Sequence, residues 1–110
     1  MQIVGFDPAH EITHFDSSGA TIGGVARCSG STRISILELD PGGVVGMHEA
    51  ASPQLFLVVA GEGRVRSGDG EATPVVAGQA AFWERGEQHE TATSAGLTAV
   101  VVEADSIELL

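Results

Sequence analysis

Followed for its alternation of apolar and polar positions, the chain breaks into short runs separated by glycine-rich turns. QLFLVV (54–59) is apolar at successive positions, which predicts a strand buried on both faces. LTAVVVE (97–103) reads the same way after the turn at Ser94-Ala95-Gly96. In RISILELD, Ile34 and Ile36 alternate with Arg33 and Ser35, and Leu37 and Leu39 then alternate with Glu38. The apolar phase flips between Ile36 and Leu37, which predicts a bulge or a strand that changes sheets. GEG (61–63) and SGDG (67–70) are turn signals, and Pro74 places ATPVV at an edge or a strand start because proline cannot donate to a ladder. QAAFWE follows Gly78, HETAT follows Gly86, and TIGGVARCS (21–29) is a strand weakened by Gly23 and Gly24. QIVGF near the start and DSIELL at the end carry weaker signals. About eight or nine short strands at regular spacing, with no convincing helix, predict an all-β antiparallel sandwich or barrel of the jelly-roll type.

One segment tests that reading. Asp7-Pro8 fits a helix start, and His10, Glu11 and His14 form H-E-x-x-H, a spacing that on a helix sets two histidines on one face for zinc, with the glutamate as base. Ile12 and Thr13 are β-branched, and Ser17, Ser18 and Gly19 follow within a turn, so there is no room for the long helix this chemistry needs. The match is read as coincidence.

Composition narrows the function classes. A chain of 110 residues, 43% hydrophobic, is long enough for one domain with a real core and is not a disordered tail. Fifteen acids face five arginines and no lysine, and the formal charge of −10 repels phosphate backbones, so no nucleic-acid partner is expected. Cys28 is the single cysteine, which excludes an intrachain disulfide and favours a reducing compartment. No apolar run approaches the ~20 residues of a helical membrane span, and the first residues lack the basic flank and apolar core of a signal peptide. A cytoplasmic protein with no membrane partner is expected.

Two blocks carry the candidate chemistry: GGVVGMHEAASPQLFLVVAG (42–61) and GQAAFWERGEQHETAT (78–93), each a turn, an apolar run and one histidine. They resemble the two motifs of the cupin superfamily, small double-stranded β-helix barrels. The family's first motif runs from a glycine through His-x-His and a glutamate to a closing glycine, where this chain has Gly42, His48, Ala50, Gln54 and Gly61. The second runs from a glycine through Pro-x-Gly and a histidine to an asparagine, where this chain has Gly78, Glu84, Gly86, His89 and Thr93. The resemblance covers roughly Ile34 to Val102 and implies a cupin core over about 34–102, with strands from residues 1–33 packed on it.

The resemblance further implies a divalent transition metal (Zn, Ni, Mn or Fe) inside the barrel, held here by His48, Gln54 and His89, and a pocket lined by Ala50, Phe56, Phe82 and Thr91. Trp83 is a further candidate aromatic wall. Ala50 stands where the family has a ligand, and Gln54 offers a neutral amide in place of a carboxylate, so the set carries no charge against a 2+ ion. Regular alternation turns Glu49 and Glu90 outward, and Arg64 and Arg66 toward solvent. The family's activities are those of oxygenases, isomerases, epimerases and lyases on small molecules. The alternative is a non-catalytic, metal-free ligand-binding or sensor module, with His48 and His89 hydrogen-bonded to Gln54 and Thr91 as buried polar groups require. A homodimer is expected, because an open jelly roll leaves edges to cover, and QLFLVV and LTAVVVE offer more apolar surface than one interior needs.

Overall fold

The strands the pattern predicts come together around β6 (Gln54–Ser67), fourteen residues long and shared by both walls of the molecule. The computed structural model describes residues 1–110, which form ten strands and no helix. The other strands are β1 (Gln2–Gly5), β2 (His10–Glu11), β3 (Thr21–Ile22), β4 (Ala26–Leu39), β5 (Val44–Glu49), β7 (Thr73–Val76), β8 (Gln79–Trp83), β9 (Gln88–Ala92) and β10 (Leu97–Leu109). One wall has the order β1-β8-β6-β10-β4, antiparallel throughout. Beyond Gly61, β6 leaves that wall and pairs with β7 and β9, and β5 closes on β9 to make the opposite wall. No helix is present that is long and apolar enough to cross a membrane.

Gly61 is the hinge of this change of wall. Its φ of 77° lies in the left-handed region, and an added Cβ would fall onto the carbonyl oxygen of Gly96. Only glycine satisfies both the dihedral and the close approach.

Alternation decides what each wall buries. On the inner face, Phe56 and Val58 of β6 meet Ala99 and Val101 of β10 and Ala81 and Trp83 of β8, all under 9% exposed. Val65 and Val75 join them from the opposite wall, and Ile3, Leu37 and Leu39 pack against the cluster. Phe82 alternates to the other side of β8 from Trp83, so it does not enter the interior the sequence assigned to it. It lies instead beside a shallow cleft with Gln2, Glu84 and Glu87.

The predicted phase flip in β4 does not exist. The pairing of β4 with β10 is continuous from Leu39↔Leu97 to Thr32↔Ala104, and the irregularity falls farther along, between Ala104 and Ser106, where Gly30 takes a φ of 79° and Asp105 accepts the Ser31 N–H at 2.8 Å. Arg33, Ser35, Leu37 and Leu39 therefore share the inward parity. Ile34 and Ile36 face outward and are each 67% exposed. The flip in the sequence records apolar residues on the outside of the molecule, not a bend in the strand.

No helix follows Asp7-Pro8. His10 and Glu11 form the two-residue strand β2 against β3, and His14 sits in the turn beyond it, so the H-E-x-x-H residues share no helical face.

Candidate functional site

The pairing of β5 with β9 sets His48 opposite His89. Their rings lie 4.3 Å apart between centroids, inclined at 49°. His89 is 3% exposed and also packs against the Trp83 ring, 4.4 Å away in an edge-on arrangement, and Trp83 in turn meets Phe56 edge-on at 6.0 Å. Strand alternation turns His89 inward from β9, and the register of β8 on β6 turns Trp83 inward to meet it.

The two imidazoles differ in their partners. His48 Nδ1 lies 2.8 Å from the Gly46 carbonyl oxygen. A carbonyl only accepts, so Nδ1 carries the proton and donates it, which in the neutral ring leaves the Nε2 lone pair free. His89 Nε2 is buried with no protein partner, as is Trp83 Nε1. Burial first, then the charge His48 would carry, pushes the His89 pKa down to about 4 against the opposing pull of Glu87. His89 is thus neutral at pH 7.

These residues border a cavity of about 360 Å³. Its floor is apolar, from Phe56, Val101, Leu37 and Val45, and Ser35, Gln54 and Thr91 add neutral polar groups. Its rim is charged. Arg33 of β4 stands opposite Glu103 of β10, Glu103 stands opposite Gln54 of β6, and all three border the cavity. Arg33 and Glu103 were missed by the sequence reading. The signal that could have found them is their parity with Ser35 and Val101, obscured by the supposed phase flip. Glu90 also borders the cavity, while its carboxylate keeps the outward parity expected of it and is held there by Arg66 at 3.2 Å. Arg66 is correspondingly half-buried and does not simply face solvent.

Of the residues the sequence assigned here, His48, Gln54, Phe56, His89 and Thr91 converge on the cavity. Phe82 and Ala50 do not border it. Ala50 is 2% exposed, and its backbone pairs with the β8–β9 turn, accepting from Gly86 N and donating to Glu87 O at 2.9 Å each. Thr93, at the second motif's last position, is a turn-forming residue: its hydroxyl donates to the Glu62 carbonyl at 2.6 Å and accepts from Gly96 N at 2.9 Å.

The β8–β9 turn is held in place by Glu87. Its carboxylate accepts from Glu84 N at 2.9 Å, Ser67 Oγ at 2.7 Å and the Met1 ammonium at 2.9 Å. Burial alone would raise its pKa, but these hydrogen bonds and the ammonium charge outweigh burial and hold it below the usual carboxylate value. One side chain thus ties the end of β6 to the loop that delivers His89.

The donor set does not match a resident divalent metal. No group of three His, Cys, Asp or Glu side chains converges anywhere in the structure. Ala50 adds no donor, and Gln54 is neutral, so two imidazoles and an amide would face a 2+ ion without an anionic ligand.

A family model described as a cupin domain matches residues 35–104. No curated protein matches the chain. Among solved structures, a conserved double-stranded β-helix protein from Klebsiella pneumoniae is 24% identical, with 84% of this chain and 86% of that one covered and a TM-score of 0.63. A cupin superfamily protein from Desulfitobacterium hafniense is 14% identical over 96% of this chain and 100% of its own, with a TM-score of 0.64. A predicted oxalate decarboxylase from Thermotoga maritima is 28% identical over 70% of this chain and 65% of its own, with a TM-score of 0.58.

Proposed function

This chain belongs to the cupin family, and we propose that it binds a small organic molecule inside the barrel without a resident metal ion. The observation that carries this reading is the facing pair His48 and His89, one with a free Nε2 lone pair and the other with a buried, unpartnered Nε2, joined by no third His, Cys, Asp or Glu that would complete a metal-binding group. A buried polar atom left unpaired costs about 1–3 kcal/mol, and a polar ligand group removes that cost. The ligand's apolar body rests on Phe56 and Val101, and its polar end meets His48, Gln54 and the charged rim. A cavity of about 360 Å³ suits a molecule of metabolite size.

Thermal melts with Mn²⁺, Ni²⁺ and Zn²⁺ test the metal-free part. The native chain is expected to be indifferent to all three. Gln54→Glu combined with Ala50→His adds an anion and a third imidazole. At a hundredfold excess of metal over Kd, about 2.7 kcal/mol of binding energy should raise its melting temperature on the order of 10 °C. A native chain that is itself strongly stabilised, with the effect lost in His48→Ala, would overturn the reading in favour of a metal site built on two histidines and Gln54.

A further inference from the structure

The charged rim of the cavity is built on a single row of one wall. Register sets Arg33 of β4 opposite Glu103 of β10, and Glu103 opposite Gln54 of β6. The next row inward on the same face is Ser35, Val101 and Phe56. Opposite charges in register on neighbouring antiparallel strands have Cβ atoms about 5 Å apart and ordinarily pair. Here they do not. The ion pairs of the chain join Met1 to Glu87, Arg27 to Glu108 and Arg66 to Glu90. Arg33 and Glu103 each border the cavity without a charged partner, and Glu103 is half-buried, so water reaches its carboxylate only in part.

Resting on the reading that the barrel binds a small organic molecule, we infer that this molecule is an apolar α-amino acid, bound as its zwitterion. Three features identify the class. The first is the balance of charge. Arg33 and Glu103 sum to zero, and Glu90, the other carboxylate on the cavity border, is already paired with Arg66 at 3.2 Å. A simple carboxylate would leave Glu103 unmatched, and a simple amine would leave Arg33 unmatched. A phosphate ester or a dicarboxylate would set a second negative charge beside Glu103 with only one free guanidinium to offset it. At −10 the chain also repels anions from its surface, whereas a zwitterion approaches with no net charge.

The second is spacing. Arg33 and Glu103 stand on adjacent strands, about 4.8 Å apart, so the ligand's two charges are separated by few bonds, as an ammonium and a carboxylate on one carbon are. The guanidinium fork matches the carboxylate in bidentate fashion. The ammonium has three N–H donors, and three acceptors border the cavity: the Glu103 carboxylate, the Gln54 amide oxygen and the free Nε2 of His48. The third is the floor. Leu37, Val45, Phe56 and Val101 receive an apolar side chain, while a charged one would be buried there without a partner. Leucine, methionine and phenylalanine meet these conditions, and aspartate and lysine do not.

Calorimetric titration of the native chain with leucine, methionine and phenylalanine, in the presence of a chelator, tests this. At least one is expected to bind and to raise the melting temperature. For leucine, isocaproate lacks the ammonium, isoamylamine lacks the carboxylate, and isocaproamide lacks both charges. Each should bind about a hundredfold more weakly than leucine, because rim groups are left unpaired. Arg33→Gln should weaken leucine about a hundredfold and leave isoamylamine unchanged. Glu103→Gln should weaken leucine as well but tighten isocaproate, whose carboxylate no longer meets a like charge. Arg27→Gln removes a cation paired with Glu108 and should alter no affinity. The analogue series needs no variant, so the test stands even where a substitution impairs folding. Isocaproate or isocaproamide bound as tightly as leucine overturns the amino-acid assignment and leaves the barrel a metal-free binding site. Leucine binding that appears only with added Mn²⁺, Ni²⁺ or Zn²⁺ overturns the metal-free reading instead. Silence toward all three amino acids at millimolar concentration overturns the inference, and the metal melts described above then decide the reading on which it rests.

Discussion

Replacing Trp83 with alanine is expected to remove about 4 kcal/mol of stability, more than any other single truncation in the chain. Trp83 is fully buried on the inner face of β8 and is the one residue that touches both the Phe56 ring and the His89 ring. Its loss leaves a cavity between the two walls that Ala81 and Phe56 cannot close without moving strands. Trp83→Phe keeps an aromatic ring and deletes the unpartnered Nε1, so it should cost only about 1 kcal/mol. Urea unfolding of both variants separates the two contributions. A Trp83→Ala cost near 1 kcal/mol would mean the walls close without the indole and the stack is incidental. The alanine variant should also admit water to His89 and raise its pKa toward the ordinary value, which a histidine NMR titration reads directly.

Acidification is expected to destabilise the barrel by about 3 kcal/mol between pH 6.5 and pH 4, through His89 alone. The folded-state pKa is about 4 and the unfolded value is 6.5, so over that interval the unfolded chain binds the extra proton. Stability from this group is complete above pH 6.5 and is lost as pH falls toward the folded pKa. Glu87 acts in the same direction farther down: its folded pKa is depressed, so its contribution is present above its ordinary value and lost as pH drops below it. His89→Gln should flatten the upper part of the curve and leave the lower part in place. A native stability profile that is level from pH 6.5 to 4.5 would show that His89 is solvated and free to protonate.

The glycine-bounded turns made most of the fold legible from sequence, because positive φ at Gly42, Gly61, Gly78, Gly86 and Gly96 allows few alternatives. The histidine pair was legible as well, since motif spacing and strand parity both send His48 and His89 to the interior. Parity failed where inside and outside are both apolar. QAAFW gives no clue whether Phe82 or Trp83 points inward, and only the register of β8 on β6 decides it. In β4 the outward isoleucines imitated a change of phase, which hid Arg33 and with it the charged rim. Glu90 follows the strand period outward between His89 and Thr91, and its carboxylate meets Arg66, its cross-strand neighbour on β6. The departure from the ligand set of the family was visible in the residues themselves, an alanine and an amide at two of its positions.

The last long strand, β10, lies in the middle of its wall, between β4 and β6. During synthesis both neighbours emerge from the ribosome well before it, and neither can complete its ladder until Leu97–Leu109 arrives. The nascent chain therefore carries two unpaired strand edges, one of them the apolar LFLVV segment, for as long as roughly forty further residues take to be made, a few seconds at typical elongation rates. Closure then depends on contacts between segments far apart along the chain, which makes folding slow for a protein of this size. Premature termination after β9 would leave a sheet with an open slot at its centre, a template for another such chain to fill.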